Sequence, residues 1–413
     1  MAKILYTEIS ELLTLAQAQA KKGRRIQEED LDFHQKMAIL VEQGKIAWIG
    51  PQKKIPRAWV SKKIKEKSLK GFTVLPGFIE CHTHTVFAGS RSAEFELRNR
   101  GISYQEISAK GGGILSTVKA TREISAADLL KQTQARVQEF LRQGVTTLEI
   151  KSGYGLSLKD ELKCLKVIQE ISKIKTVSTF LGAHAKPPEF NSYEEYLIFL
   201  ADEVLPLIRK KKLAERVDIF IEKGFFPLEA SRIYLQKAQA LGFAVTIHAD
   251  QLSLTGGTQA AVDLRALSAD HVIQIQLPEI KKIAMSETTA VLLPAADLYM
   301  KCAYPPARAL IDAGARVALA TDFNPGTSPT QDINLVGLLA RLEMKMTLPE
   351  VINAYTLGAA YALGKQKQRG SLEVGKDADF LCIDGVWTDL FYSAGSTLVR
   401  QVILDGKLIH INS

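Results

Sequence analysis

The 413-residue sequence has few cysteines, no long apolar run and no low-complexity segment. Its four cysteines, none of them in a CxxC pair, are too few for a disulfide framework. No window approaches the roughly 18 uninterrupted apolar residues of a membrane span, and the N-terminus lacks the apolar core of a signal peptide. The composition, 46% hydrophobic and 24% charged, excludes a disordered or fibrous chain. We therefore expect a cytoplasmic globular protein without a membrane partner.

The net charge of +8 is concentrated in one segment. Residues 51–70 hold eight Lys or Arg against one Glu. A polyanion-binding patch and a solvated, lysine-rich sheet edge both fit this composition. Because no nucleic-acid-binding module accompanies the charge, we favour the sheet edge and expect no nucleic-acid partner.

Strand patterns occupy both ends of the chain. Residues 37–50 read as a hairpin around Gln43-Gly44, and Leu398 to Ile411 read as a second hairpin that turns at Asp405-Gly406. Neither end alone is long enough to bury a core. We therefore predict that residues 1–73 and 371–413 combine into one small β-sandwich domain.

The middle of the chain alternates between apolar runs and helical segments. One such segment, Ala126 to Gln143, has apolar residues at helical spacing and Ser125 in the N-cap position. Eight apolar runs predict strands: Val74–Cys81, Val145–Ile150, Thr176–Leu181, Val217–Ile221, Phe243–Ile247, Ala266–Ala269, Thr289–Pro294 and Arg316–Ala320. Eight strands joined by helical crossovers are typical of an α/β fold of the (β/α)8, or TIM-like, class. We predict this barrel over residues 74–370.

Five of the seven histidines fall at or just past the end of a predicted barrel strand: His82, His84, His184, His248 and His271. Asp322 follows the eighth strand. The carboxyl ends of barrel strands converge on one face, so these side chains should meet there. His82 and His84 are two residues apart and point to the same side of a strand. With His248 and Asp322 they would form a site of three imidazoles and one carboxylate, which suits Zn²⁺ or Fe²⁺.

Residues 76–84, PGFIECHTH, resemble the opening metal-binding motif of the amidohydrolase superfamily. Within that superfamily, AGSR (88–91), KSGYGL (151–156) and NPGTSP (324–329) resemble the imidazolonepropionase family. The resemblance spans roughly residues 75–330. It implies a metal-dependent hydrolase that converts the cyclic amide 4-imidazolone-5-propanoate to N-formimidoyl-L-glutamate in histidine degradation.

The resemblance also implies roles for individual residues. One Zn²⁺ or Fe²⁺/Fe³⁺ per subunit would be held by His82, His84, His248 and Asp322. Arg91 would bind the substrate carboxylate through its planar fork. The ring or the opened product would contact a further set: Tyr154, His184, Gln251, Asn324, Gly326 and Thr327. Asp322 would move the proton, and His271 and His184 would stabilise the oxyanion.

Several alternatives stay open at this stage. Arg91 could form a structural salt bridge, and Gly153 to Gly155 or Asn324 to Pro329 could be plain turns. Gln251 lies where some relatives carry glutamate, and glutamine cannot act as a general base. Binuclear amidohydrolases carry a modified lysine at the end of the fourth strand, where this chain has Glu222 and then Lys223. Nothing requires a second metal there, so we expect one ion.

Two other functions use the same barrel. An aminohydrolase acting on a purine or guanidine-like ring would keep the metal ligands but would not need Arg91 aimed at a carboxylate. A non-catalytic barrel is disfavoured because every ligand position is filled. We expect a small-molecule substrate and a homodimer.

Overall fold

The computed structural model describes residues 3–59, 64–102 and 112–412, and it separates them into a barrel and a terminal sheet. The strands are β1 (Lys3–Leu13), β2 (Phe33–Glu42), β3 (Lys45–Pro51), β4 (Lys65–Ser68), β5 (Thr73–Pro76), β6 (Phe78–Glu80), β7 (Val145–Lys151), β8 (Lys175–Ala183), β9 (Arg216–Ile221), β10 (Ala244–Ala249), β11 (Ser268–His271), β12 (Thr289–Leu292), β13 (Val317–Leu319), β14 (Phe380–Ile383), β15 (Val399–Leu404) and β16 (Lys407–Ile411).

The α-helices of the described ranges lie mainly between the barrel strands. They are Ala16–Ala20, Ser92–Asn99, Ile114–Glu123, Ala126–Arg142, Leu158–Glu170, Tyr193–Phe199, Leu205–Lys211, Leu228–Ala240, Gly257–Asp263, Leu277–Ala284, Pro294–Met300, Ala307–Ala313, Ile333–Leu342, Leu348–Asn353 and Ala359–Ala362. None of them combines the length and the hydropathy of a membrane-spanning helix.

The terminal sheet joins strands from both ends of the chain. Its order is β16-β15-β14-β5-β1-β2-β3, and β4 pairs with β1 outside this path. The two ends meet where β14 pairs antiparallel with β5, and the Tyr6 hydroxyl donates to the Gly406 carbonyl oxygen at 3.0 Å. The predicted turns at Gln43-Gly44 and Asp405-Gly406 are present. The prediction of one β unit built from both termini is confirmed.

The lysine-rich segment contributes β4 to the terminal sheet. Residues 65–68 pair in parallel with the first half of β1, and β4 has no second neighbour among the described strands. Residues 60–63 of this segment lie outside the described ranges. The part that is described therefore agrees with a charged sheet edge.

The barrel consists of eight parallel strands, β6 to β13, each paired with the next along the chain. The circle closes just past the first and last strands, where Thr83 bridges to Phe323 and the His84 N–H donates to the Phe323 carbonyl oxygen at 2.9 Å. Helix Ala126–Arg142 begins as predicted, with the Ser125 hydroxyl accepting the Asp128 N–H. The (β/α)8 prediction is confirmed.

One predicted strand is divided in two. The apolar run from Val74 to Cys81 supplies β5 to the terminal sheet and β6 to the barrel, with Gly77 between them. A Cβ atom at Gly77 would lie 2.2 Å from the Thr146 hydroxyl oxygen, so only glycine fits at this crossing. Hydrophobicity alone could not reveal the division, because both halves are buried. The domain limits 1–73, 74–370 and 371–413 stay a prediction.

Candidate active site

A cavity of about 410 Å³ opens at the carboxyl ends of the barrel strands. This volume is in the range of small-molecule sites. Ten of the predicted site residues line it: His84, Arg91, Tyr154, His184, His248, Gln251, His271, Asp322, Asn324 and Thr327. His82 is completely buried beside them. The structure thus brings the predicted residues together around one cavity.

The histidines and Asp322 form two overlapping groups that could each hold a metal ion. One contains His82, His84 and Asp322, and the other contains His82, His248 and His271. The Asp322 Oδ1 atom lies 3.4 Å from His82 Nε2 and 3.3 Å from His84 Nε2. The predicted ligands are therefore neighbours, and His271 lies as near to His82 and His248 as a further ligand would.

Several ligand atoms of this cluster lack hydrogen-bond partners among the described residues. His82 Nε2, His248 Nε2 and Asp322 Oδ1 are buried and make no hydrogen bond within the described residues. Leaving such atoms unpaired is costly, and a bound cation would satisfy all of them. Burial lowers the pKa of His84 to about 4, so this ring is neutral and keeps the lone pair that a metal needs. Burial also disfavours the charged form of His82, but Asp270 and Asp322 raise the pKa of this ring to about 9, so a metal ion would displace a proton there. The residues present fit a metal site.

Two buried aspartates behind the histidines were missed by the sequence analysis. The Asp270 Oδ2 atom lies 2.6 Å from His82 Nδ1, and the Asp218 Oδ2 atom lies 3.0 Å from His248 Nδ1. A carboxylate on the second ring nitrogen orients an imidazole towards a metal. The available signal was an acidic residue inside an apolar strand, as in the run VDIFI.

Backbone conformation at the site is unusual for residues with side chains. His271 has a φ of 75° and Asp322 a φ of 53°, both in the left-handed region. Such conformations are uncommon for residues other than glycine and cluster at functional sites. Gly153 has a φ of 112°, and a Cβ atom there would lie 2.7 Å from the Leu181 carbonyl oxygen. This glycine lets the chain pass beside His184, whose Nδ1 lies 3.0 Å from the Gly153 oxygen.

Arg91 combines a salt bridge with a position in the cavity wall. Its Nε donates to Glu94 Oε2 at 2.8 Å, so the structural alternative is partly correct. The guanidinium also lies against Gly326, where an added Cβ would approach Arg91 Nη1 to 2.0 Å. Arg98, which the sequence analysis missed, donates from Nη2 to the Gly326 carbonyl oxygen at 3.0 Å and lines the same cavity.

Glu94 also contacts the end of the glycine-rich segment at residues 111–113. Its Oε1 accepts the Gly113 N–H at 3.0 Å and the Ser116 hydroxyl at 3.1 Å. Gly111 lies outside the described residues. The contacts of Glu94 connect the Arg91 side chain to the start of helix Ile114–Glu123.

Comparison with known proteins identifies the family. The sequence pattern of the amidohydrolase family matches residues 73–409. An imidazolonepropionase from Bdellovibrio bacteriovorus is 65% identical over 98% of this chain and 96% of its own length. An imidazolonepropionase from Bacillus velezensis is 41% identical over 98% of this chain and 96% of its own.

The chain belongs to the imidazolonepropionase family of amidohydrolases. Solved structures with the same fold include a guanine deaminase from E. coli, with a TM-score of 0.73 at 14% identity over the whole of both chains. An adenosine deaminase from Xanthomonas campestris with bound zinc has a TM-score of 0.71 at 19% identity, over 98% of this chain and 92% of its own. The resemblance noted in the sequence is confirmed, and the family indicates a hydrolase acting on carbon–nitrogen bonds.

In this imidazolonepropionase family member, the predicted substrate-binding residues Asn324 and Gln251 make contacts with neighbouring side chains and backbone. The Asn324 side chain donates to the Asp322 carbonyl oxygen at 2.7 Å and accepts the N–H groups of Gly326 and Thr327 at 2.8 and 2.7 Å. Asn324 therefore shapes the turn that carries Asp322 as well as lining the cavity. Gln251 lines the cavity with its Nε2 atom 3.7 Å from the Met300 sulfur.

The end of the fourth barrel strand holds no group poised for a second ion. Glu222 accepts the Leu252 N–H at 2.8 Å, and Ser253 also hydrogen-bonds to this carboxylate. Lys223 is exposed and does not line the cavity. This arrangement favours the predicted mononuclear site.

Proposed function

We propose that the chain hydrolyses 4-imidazolone-5-propanoate to N-formimidoyl-L-glutamate. One observation carries the choice of substrate: the Arg91 guanidinium lines the same cavity as the imidazole–Asp322 cluster. A planar cation suits a carboxylate, and the cluster suits the chemistry of an amide carbonyl. The reaction adds one water, forming a bond from its oxygen to the ring carbonyl carbon and breaking the bond from that carbon to the ring nitrogen.

We propose His82, His84, His248 and Asp322 as the residues that hold one Zn²⁺ or Fe²⁺ per subunit. When bound, such an ion supplies Lewis acidity and lowers the pKa of a coordinated water to about 7. The buried charges support a divalent cation. Burial raises the pKa of Glu80 to about 8, so this carboxyl is mostly protonated at neutral pH. Three buried carboxylates, Glu149, Asp218 and Asp270, surround Lys151, and Asp322 adds a fourth beside His82 and His84.

We infer that Asp322 carries the proton from the attacking water to the ring nitrogen of the substrate. Burial alone would raise the pKa of its carboxyl, but His82 and His84 hold it well below its usual range. Asp322 is therefore ionised and can accept the proton of the attacking water and pass it to the departing ring nitrogen. The positive φ at this residue and the Asn324 bond to its carbonyl oxygen keep the carboxylate in place.

Of the two predicted oxyanion donors, His271 is the one that can still donate an N–H to the oxyanion. Burial holds the pKa of both rings well below the usual range, so both are neutral and each carries one N–H. The N–H of His184 lies on Nδ1, because the Gly153 carbonyl oxygen 3.0 Å away can only accept, and its Nε2 is therefore an acceptor. Donors already aimed at the developing negative charge contribute strongly to catalysis. Gln251 provides an amide for the ring or the attacking water, and Tyr154 closes the cavity against His184 with ring centroids 5.3 Å apart.

We infer that Arg91 binds the carboxylate group of the substrate. Glu94 occupies its Nε, which leaves the two terminal nitrogens for a substrate propionate. Asn324, Gly326 and Thr327 form the adjacent wall.

The decisive experiment is turnover of a defined substrate. Purified protein of known metal content should consume fresh 4-imidazolone-5-propanoate, followed by loss of its ultraviolet absorbance. The matched control is the same ring without the propionate side chain, which should be a much poorer substrate. Equal turnover of the control, or deamination of a purine in its place, would contradict the proposal.

The location and the assembly follow as further proposals. All four cysteines are free, as a reducing cytoplasm would keep them. The homodimer stays a prediction, to be checked by light scattering of the purified protein.

A further inference from the structure

One lysine in the centre of the barrel has no part in the proposed reaction. Lys151 is the last residue of β7 and is completely buried. Its Nζ lies 2.9 Å from Glu149 Oε1, 2.9 Å from Asp218 Oδ2 and 3.9 Å from Asp270 Oδ2. A buried lysine is rare and needs partners of opposite charge. Here three carboxylates surround one ammonium group.

Two of those carboxylates also contact the histidines. The Asp218 oxygen near Lys151 lies 3.0 Å from His248 Nδ1, and the Asp270 oxygen near Lys151 lies 2.6 Å from His82 Nδ1. One ammonium group therefore joins two histidine–aspartate pairs whose four residues come from separate parts of the barrel. In both pairs the ring nitrogen that remains, Nε2, makes no hydrogen bond within the described residues.

The third carboxylate connects Lys151 to the segment between His82 and His84. Glu149 Oε2 accepts the Thr83 N–H at 3.1 Å, and the Thr83 hydroxyl donates to the Glu149 carbonyl oxygen at 2.6 Å. The backbone N–H of Lys151 donates to the Thr83 carbonyl oxygen at 2.9 Å. The strand that carries Lys151 thus also holds the backbone of residues 82–84, which carries the first two histidines of the cluster.

We propose that Lys151 is a positioning residue that fixes Asp218 and Asp270 and thereby sets how tightly the histidines hold a metal ion. Two buried carboxylates so close together repel each other unless a cation lies between them. With the ammonium in place, each aspartate keeps its histidine ring turned so that Nε2 faces the cavity. This inference rests on the metal site of the proposed function.

A purely structural role is the alternative, and the chain offers a matched control for it. Lys175, at the start of β8, lies at the opposite end of the barrel and also binds three carboxylates. Its Nζ lies 2.8 Å from Asp377, 2.7 Å from Asp379 and 2.7 Å from Asp405. None of these aspartates contacts a histidine in the described residues. Loss of either lysine should destabilise the protein, but only Lys151 should affect metal binding.

The experiment compares Lys151→Met with Lys175→Met. Each protein is loaded with Zn²⁺, and its affinity is measured by competition with a chromophoric chelator; thermal unfolding of the metal-free proteins is measured in parallel. We expect Lys151→Met to lose about tenfold to hundredfold in Zn²⁺ affinity, as for other residues that orient metal ligands. Lys175→Met should bind Zn²⁺ like the parent. Parent-like Zn²⁺ affinity in folded Lys151→Met would overturn the inference.

A second variant covers the case in which Lys151→Met does not fold. The double variant Lys151→Met/Asp218→Asn removes one buried charge of each sign. Its Zn²⁺ affinity should be lower than that of Asp218→Asn alone, because the loss of Lys151 also removes the cation that holds Asp270 against His82. An affinity equal to that of Asp218→Asn alone would overturn the role of Lys151. If the parent itself binds neither Zn²⁺ nor Fe²⁺, the metal site fails, and this inference fails with it.

Discussion

Among the described residues, clusters of possible metal ligands lie at opposite ends of the barrel, and they differ in how many of their ligand atoms have partners. At the mouth, His82, His84 and Asp322 leave ring nitrogens and a carboxylate oxygen without hydrogen-bond partners in the described part of the chain. At the base, Asp377, Asp379 and Asp405 are equally close together. There, however, Lys175 contacts all three carboxylates, while Lys45 and Arg369 also pair with Asp377.

The two clusters have similar numbers of ligand atoms, so this number does not distinguish a structural cluster from a functional one. The distinguishing feature is whether the ligand atoms are already paired with other side chains of the protein. The base cluster joins β8 of the barrel to the segments before β14 and at the turn after β15, so it ties the barrel to the terminal sheet. Its charges are balanced by side chains of the protein itself. The mouth cluster keeps ligand atoms without hydrogen-bond partners among the described residues, and it lines a cavity that a substrate can enter.

The strongest test makes the same change in both clusters. Asp322→Asn should lower kcat/KM by about 10³-fold, because it removes the proton carrier and the charge on a metal ligand. Asparagine tolerates the left-handed backbone at this position, so the fold should survive. Asp377→Asn should keep the parent kcat/KM. The measurement is steady-state kinetics of both proteins with known metal content. A similar loss of kcat/KM in the two variants would show that the two clusters do not differ in function.

A smaller effect should separate the arginines at the two ends. Arg91→Ala should lose a charge-assisted pair with the substrate carboxylate, worth about 1.5–3 kcal/mol, and therefore roughly ten- to hundredfold in kcat/KM. Lysine should restore only part of this loss, because its ammonium lacks the planar fork. Metal content should not change.

The counterpart at the base is Arg369, whose Nε lies 3.0 Å from Asp377 Oδ2. Arg369→Ala should lower the melting temperature and leave kcat/KM of the folded protein unchanged. An Arg91→Ala protein that behaves in the same way would show that Arg91 is structural as well.

The smallest effect concerns the pH dependence of stability at the base. Burial alone would raise the pKa of Asp377, but Lys175, Lys45 and Arg369 hold it below its usual range. A carboxyl group with a lowered folded-state pKa adds stability above its unfolded pKa of about 3.9 and loses that contribution as the pH falls through the folded value. Asp377→Asn should therefore be less stable than the parent at pH 7, by about 1–2 kcal/mol.

That deficit should shrink as the pH is lowered below about 4. Asp379, whose pKa burial raises, contributes in the opposite sense but is present in both proteins. Urea unfolding across a pH series measures the difference, and Asp384→Asn, at a half-exposed ion pair, is the control. A deficit that stays constant down to acid pH would show that the ion pairs of Asp377 are not its cause.

The local patterns of the sequence carried much of the architecture. Hydrophobic spacing predicted the helix that begins after Ser125, and turn residues predicted the hairpins at Gln43-Gly44 and Asp405-Gly406. Histidines at strand ends predicted which side chains share a cavity, because all strands of a parallel barrel end on the same face. These features depend on neighbours a few residues apart or on one rule of topology, so a single sequence suffices for them.

Contacts between distant strands were decided only by the tertiary structure. The sequence marks Lys151, Asp218 and Asp270 as charged residues in apolar runs, but their mutual distances depend on how far each strand is shifted along its neighbour. The division at Gly77 depends on Thr146, and the place of Arg91 depends on Gly326, more than 200 residues away. The buried charged side chains likewise come from several strands and pair with one another only in the closed barrel. Which ligand atoms remain unpaired is therefore decided by the tertiary structure.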